Sequence, residues 1–421
     1  MSATVYQTDM GPRTLDELEA DDIVLLLVGT PPPVDPYVLY HRLRQLDSRH
    51  PSIIGMRFVS GYDDVLEALR SPLLHMAVAD TMAKSDPRHD SSPYLQAVGD
   101  MLIFTNPPKH TRIRGVLSRA FTPRMVERLR PRVLELVDQH LDACEATGGP
   151  FDLIEHLAGP LPSEVICELL GVPMADQPQV EKWTADIAGT VQPVIPDEAL
   201  AAGDRTIVEF HDYLRRLVDE RKHDPRDDLL SVLVRAEEQE GRLDEDELVS
   251  FAVTVLGAGT ETTTNLIGVG ALALLQSPDQ LALMQQDPSR VADAVEELLR
   301  FESPVAMAFP RVATADMVLG GEEIVEGELI ALLIGAANHD PAVFPDPDRL
   351  LIERPGRKPS LAFGQGAHYC MGAALARIEG EIALRRLLCD RMPGLALVDE
   401  DLEWRASFNL RGLERLLVRP R

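Results

Sequence analysis

Cysteine is scarce in this 421-residue chain, where Cys144, Cys167, Cys370 and Cys389 stand far apart. That scatter excludes a dense disulfide framework and contains neither a C-x-x-C metal pair nor a four-cysteine iron–sulfur run. A reduced, cytoplasmic setting is therefore expected. Positive charge is short as well: 41 Lys and Arg face 68 Asp and Glu, a net charge of −27. Such a chain is repelled by phosphate backbones and anionic lipid, which speaks against nucleic-acid and membrane partners. Long hydrophobic runs are missing too. Ile23–Val28 is the longest early one, far below the ~20 residues that span a bilayer, and no basic segment precedes it as in a signal peptide. What remains is a hydrophobic content of 45 %, ordinary for a globular chain with a substantial core.

Length alone allows two or three domains, yet no repeat or low-complexity linker divides the chain. The reading is a lead-in over 1–36, closed by Pro31-Pro32-Pro33, and one domain over 37–421. Tyr37–Leu46 has helical spacing, Ile53–Val59 reads as a strand before Gly61-Tyr62, and Asp63–Leu69 as a short helix. Residues 71–100 form a polar connection of weak periodicity, the kind of loop that is often functional or mobile. Asn106-Pro107 resembles the N-cap and first position of a helix carrying His110 and Arg114 four apart on one face. Helical patterns before and after a proline-broken stretch at 191–196 suggest a lid. The fold class is mainly α with small β-sheets.

Asp244 and Glu247 spell a capping box, and helical character runs from there to about Gln276. Some thirty residues make a helix of roughly 45–50 Å. Its middle, Leu256-Gly257-Ala258-Gly259-Thr260-Glu261-Thr262-Thr263-Thr264, is built from poor helix formers. Glycine there lets a flat group approach the backbone, and threonine can bond the carbonyl one turn back. The other distinctive stretch is Phe363-Gly364-Gln365-Gly366-Ala367-His368-Tyr369-Cys370-Met371-Gly372, ahead of the apolar run Ala373–Ile378. A lone cysteine is by default a small buried hydrophobe. Placed between glycines at a helix start, its thiolate is favoured by the helix dipole and by unpaired amides of the first turn.

Phe-x-x-Gly-x-His-x-Cys-x-Gly resembles the haem-binding signature of the cytochromes P450, in particular their bacterial members. Ala258-Gly259-Thr260-Glu261-Thr262 resembles the oxygen-activation motif of that family, and Glu297-Leu298-Leu299-Arg300 its Glu-x-x-Arg. The resemblance extends from about Tyr37 to Pro420. It implies a triangular helical prism with a long central helix, and haem b held between that helix and the cysteine loop. By the same resemblance Cys370 is the iron ligand, Phe363 covers its sulfur, and Gly364 and Gly372 shape the loop. His110, Arg114, Arg311 and His368 would meet the propionates, with Ala258 and Gly259 facing the haem. Glu297 and Arg300 would be structural, tied to Arg349 or Arg354. Asn338-His339-Asp340-Pro341 also matches the family's run, although Arg is more frequent where His339 stands.

The implied activity is a haem-thiolate monooxygenase using O2 and two electrons, with Glu261 and Thr262 supplying protons for O–O cleavage. Electrons would come from a separate ferredoxin and ferredoxin reductase, received on a basic patch drawn from Arg112, Arg119, Arg377 and Arg386. Val253, Leu256, Gly257, Val305, Ala306, Met307, Phe408 and Asn409 are the candidate substrate lining. Their apolar character suits hydroxylation or epoxidation of a hydrophobic molecule such as a macrolide, terpenoid or steroid in secondary metabolism, or of an acyl chain on a carrier protein. Two alternatives are a peroxide-driven peroxygenase, which needs no proton relay, and a non-catalytic haem-binding or carrier-docking module. The chain is expected to act as a monomer.

Overall fold

The computed structural model describes the chain apart from residues 1–3, 9–10, 30–32, 193, 241–242, 357, 399–401 and 421. Pro31, Pro32 and Pro193, read from the sequence as breaks, lie outside the described residues. Contacts divide the chain into two compact units. One comprises Met1–His75, Gly268–Cys370 and Leu388–Arg421, and the other Met76–Ile267 and Met371–Leu387.

The first unit holds a five-stranded sheet in the order Arg49–Pro51, Met56–Val59, Leu329–Leu332, Ala308–Ala313, Leu74–Met76. Met56 pairs with Leu329 in parallel register, and Leu329–Leu332 runs antiparallel to Ala308–Ala313 with an irregularity between Ile330 and Leu332. The strand expected over Ile53–Val59 begins only at Met56. Ser52–Gly55 makes the preceding turn, closed by Ser52 N–H to the Met56 carbonyl at 3.0 Å, with Gly55 at φ +79°. The helix after it is Tyr62–Arg70, close to its reading.

The described residues of the segment 1–36 carry regular elements where a lead-in was expected. Val5–Thr8 and Gly11–Thr14 pair as a hairpin, and Ala20–Val28 is a helix. Its Ile23, Val24 and Leu27 lie on one stripe and pack in one cluster with Leu39, Tyr40, Leu43 and Phe58. The supposed polar loop over 71–100 also differs. After the strand Leu74–Met76 it continues as a chain of short helical turns whose Tyr94, Leu95 and Val98 are buried.

The second unit is helical. Lys109–Ala120, Arg130–Ala146, Pro160–Leu170, Gln177–Ala188 and Asp197–His223 lead into the long helix Glu245–Gln276, whose last turns belong to the first unit. Asp197–His223 starts at Pro196, with Asp197 and Glu198 in its first turn, where carboxylates complement the dipole. Trp183 stacks on Phe210 at 4.9 Å, and Asp204 accepts from Ser92 Oγ at 2.5 Å and from the Tyr94 N–H at 3.0 Å. Among the described residues no single helix is long and apolar enough to cross a membrane.

Candidate active site

In the first unit the cysteine loop is shaped by its glycines. Gly364 and Gly366 take φ +66° and +70°, where a side chain is strained. A Cβ on Gly366 would also come within 2.6 Å of the Leu69 carbonyl oxygen. The loop closes on itself: the Gly364 N–H donates to the Leu361 carbonyl at 2.8 Å and the Cys370 N–H to the Phe363 carbonyl at 2.9 Å. His368 ends a single turn of 3-10 helix, half-buried like Phe363 and Cys370. Gly372 has an ordinary helical backbone at φ −77°. The helix Ala373–Arg385 begins three residues after Cys370.

A buried ion cluster anchors that loop. The Glu297 carboxylate accepts from Arg300 at 2.8 and 3.0 Å and from Arg354 at 3.0 and 3.1 Å. The third partner is therefore the Arg354 side chain, whereas Arg349 contributes its carbonyl to both arginines. Arg300 also donates to the Asn338 carbonyl at 2.9 Å. The Asn338 amide binds Ser303 Oγ at 2.8 Å and accepts the Leu361 N–H at 2.8 Å. Leu361 is where the cysteine loop closes. Sequence reading passed over Asn338 as a linchpin.

Arg311, on strand Ala308–Ala313, is buried at 6 % exposure and has no ion pair among the described residues; its Nε has no hydrogen-bond partner. Burial alone pushes its pKa down to about 10. Two stretches read separately as substrate lining prove to be joined: the Ala306 N–H donates to the Asn409 carbonyl at 2.8 Å, and Val305 bridges Leu410. Val305 and Phe408 are half-buried, whereas Ala306, Met307 and Asn409 are buried, Met307 in the cluster with Leu39 and Phe58.

In the second unit the clamp helix begins at Lys109, because Asn106 does not cap it. Its amide instead pairs with Met76, accepting the N–H at 2.8 Å and donating to the carbonyl at 3.1 Å. His110 is buried and Arg114 half-buried on that helix. Arg112 is tied by two bonds, 2.5 and 2.8 Å, to Glu247, which also completes the capping box with Asp244 at 2.8 and 3.2 Å.

The long helix stays α-helical through its glycines and threonines. Thr254, Thr260, Thr262 and Thr264 each donate to the carbonyl four residues back, at 2.8–3.1 Å, which is how the weak formers are accommodated. Ala258 is exposed, and Thr254, Val255, Glu261 and Thr262 are partly so. These positions recur at three- and four-residue spacing and make one accessible stripe on a helix otherwise largely buried. A Cβ on Gly257 would meet nothing within 4 Å, while one on Gly259 would press Ile166 at 3.3 Å. Val253 and Leu256 are 2 % and 0 % exposed, so helix phase turns them into packing and assigns the accessible lining to Thr254, Val255 and Ala258.

Two buried polar groups in this unit escaped sequence reading. Asn265 has no partner for either amide atom among the described residues, and Glu379 has none for Oε2. Burial pushes the Glu379 pKa up to about 8. The signal existed: Leu375, Ile378, Glu379 and Ile382 lie on one helical face, and Glu379 is the polar member of it.

The model of the cytochrome P450 family matches residues 56–390. "Cytochrome P450 107B1" of Saccharopolyspora erythraea is 42 % identical over 372 residues, 86 % of this chain and 88 % of that one. "6-Deoxyerythronolide B hydroxylase" of the same organism is 38 % identical, covering 92 % of this chain and 96 % of its own. Among solved structures, P450BioI in complex with a hexadec-9Z-enoic acid ligated acyl carrier protein aligns with a TM-score of 0.85 at 36 % identity. It covers 92 % of this chain and 98 % of that chain.

Proposed function

The chain belongs to the cytochrome P450 family, whose members bind haem b, and we propose that it hydroxylates or epoxidises a large hydrophobic small molecule of the macrolide class. It is a P450 monooxygenase. The residues present fit the cofactor. Arg311 is a buried guanidinium without a carboxylate among the described residues, the kind of group a propionate neutralises. The accessible stripe around Ala258, open at Gly257, offers a backbone face to a flat ring.

In this reading Cys370 is the iron ligand, and Arg311, His110, Arg114 and His368 hold the propionates. Bound haem supplies the reduction and cleavage of O2 and the transfer of one oxygen atom to substrate. The chain's part is proton delivery and placement. Thr262 donates its hydroxyl hydrogen to the Ala258 carbonyl at 2.9 Å, which leaves its lone pairs directed outward to accept from a water. Glu261 beside it can take a proton from solvent and hand it to that water. This acid–alcohol pair on the accessible stripe is the observation that carries the monooxygenase reading over a peroxygenase.

Two electrons are assigned to a separate ferredoxin and its reductase, with the cytoplasm as the site of action. Of the four arginines considered for docking, Arg112 is neutralised by Glu247 and Arg386 by Asp138 at 2.7 Å. Arg377 donates to the Ala373 carbonyl at 3.2 Å, and all four arginines stay candidates for the docking face. The macrolide assignment is supported by the hydroxylase relative and by the apolar Val255, Ala258, Val305 and Phe408. The P450BioI structure favours one second reading, an acyl chain delivered on a carrier protein.

Spectral titration separates the two readings, since a substrate held beside bound haem would change the Soret band. Free macrolide aglycones are expected to shift the Soret band at micromolar concentration, and product should form with NADPH and redox partners but not with hydrogen peroxide alone. A shift produced only by carrier-bound acyl chains, or turnover that peroxide fully supports, would contradict the proposal.

A further inference from the structure

Within the first unit, away from the cysteine loop, two histidines and a carboxylate converge. His41 lies on helix Tyr37–Leu46, His339 directly after helix Ile334–Asn338, and Asp348 in the following turns. His41 Nε2 is 2.8 and 3.0 Å from the two Asp348 oxygens, and His339 Nδ1 is 2.9 Å from Oδ1. The three ligand atoms all lie within 4.8 Å of one another. His339 is fully buried, His41 is partly accessible, and Asp348 opens to solvent.

Proton accounting makes this an incomplete arrangement. His339 Nε2 is 2.9 Å from the Phe301 carbonyl, an acceptor only, so Nε2 must carry hydrogen. In neutral imidazole the Nδ1 lone pair then faces a carboxylate, acceptor against acceptor, and something positive has to lie between them. A second proton on His339 or a cation bound between the two side chains would serve. The surroundings resemble a metal ligand's support: a ring N–H held by a backbone carbonyl fixes the other nitrogen's direction. Tyr37 stacks on the His339 ring at 4.0 Å and fixes its plane.

We propose that His41 Nε2, His339 Nδ1 and the Asp348 carboxylate form a binding site for a divalent transition ion of the zinc type, with water as the fourth ligand. Two imidazoles and one carboxylate favour Zn2+ or Ni2+ over Mg2+ or Ca2+, which prefer all-oxygen sets. Tetrahedral ligation at about 2.0–2.1 Å sets neighbouring ligand atoms about 3.3 Å apart. The three contacts therefore open by a few tenths of an ångström as the two histidines draw together. Arg44 faces the site, with Nη1 3.3 Å from His41 Nδ1, and Arg300 is a second cation near His339. Metal binding puts the His41 hydrogen on Nδ1 and breaks that contact. Arg44 keeps its bonds to the Ser60 and Ala336 carbonyls.

Calorimetric titration of tag-free, haem-loaded protein with ZnCl2 at neutral pH tests this. One equivalent is expected to bind, with affinity at least tenfold lower in both His41→Ala and Asp348→Asn. These substitutions lie on the accessible side, so the test does not depend on the buried His339 tolerating change. An anomalous difference peak at the zinc edge among the three side chains would complete the case. Absence of stoichiometric binding by Zn2+ and by Ni2+, or binding that both variants leave unchanged, would overturn it.

Discussion

Two buried guanidinium environments in the first unit differ in one respect. Arg300 and Arg354 share the Glu297 carboxylate and make six hydrogen bonds to five backbone carbonyls, so each guanidinium has a carboxylate partner and backbone acceptors inside the fold. Arg311 is nearly as buried and has no carboxylate among the described residues. A closed cluster is sufficient to itself and its role is architectural: through Asn338 and Leu361 it fixes where the cysteine loop closes. An unmatched buried cation is costly unless something outside the chain completes it. The contrast separates charge that the fold itself partners from the charge proposed above to meet a propionate.

The largest effect should come from breaking the closed cluster. Glu297→Ala leaves two buried guanidinium groups unpaired and is expected to cost about 3–5 kcal/mol in denaturant unfolding; a loss below 1 kcal/mol would show that the cluster does not hold the fold. Glu379 offers a third kind of buried charge, a carboxyl that stays protonated. Its pKa is raised from 4.5 to about 8 by burial. Its stabilising contribution is therefore complete below about pH 4.5 and is lost as pH rises through about 8. Glu379→Gln should flatten the pH dependence of unfolding across that window, a difference on the order of a few kcal/mol at its alkaline end.

Arg311→Leu sharpens the comparison from the other side. Haem-free protein is expected to keep or gain stability, whereas haem affinity falls roughly 10–100-fold, the ~1.5–3 kcal/mol of a charge-assisted hydrogen bond. Apoprotein that unfolds as readily as the Glu297 variant would erase the distinction. The smallest stability effect belongs to Thr262→Ala, within about 0.5 kcal/mol, since a hydroxyl bonded one turn back contributes little to the helix. Its signature is kinetic. NADPH consumption should continue while the fraction ending in product drops, and full coupling would refute the proton role.

Much of this was legible in the sequence because the responsible signals are local. The capping box at Asp244 and Glu247 fixed the start of the long helix to within a residue, and the back-bonded threonines follow from their helical spacing. Long-range partners were not legible. Arg349 and Arg354 are equivalent on paper, and only folding decides that one offers a side chain and the other a carbonyl. Asn106 looks like a helix cap until Met76 arrives to pair with it. Val253 and Leu256 were taken for lining because they are apolar and near the motif, but a shift of one residue in helix phase places them in the core. The polarity of the first 36 residues hides the stripe of Ile23, Val24 and Leu27 that buries helix Ala20–Val28.

The central claim is that Cys370 supplies a thiolate to haem iron. The ferrous protein under carbon monoxide, compared with Cys370→Ala, tests it most directly. The account predicts the red-shifted Soret band of a thiolate-ligated haem in the wild type and its loss in the variant. A wild-type band in the unshifted position, or a shifted band that survives in Cys370→Ala, would contradict it.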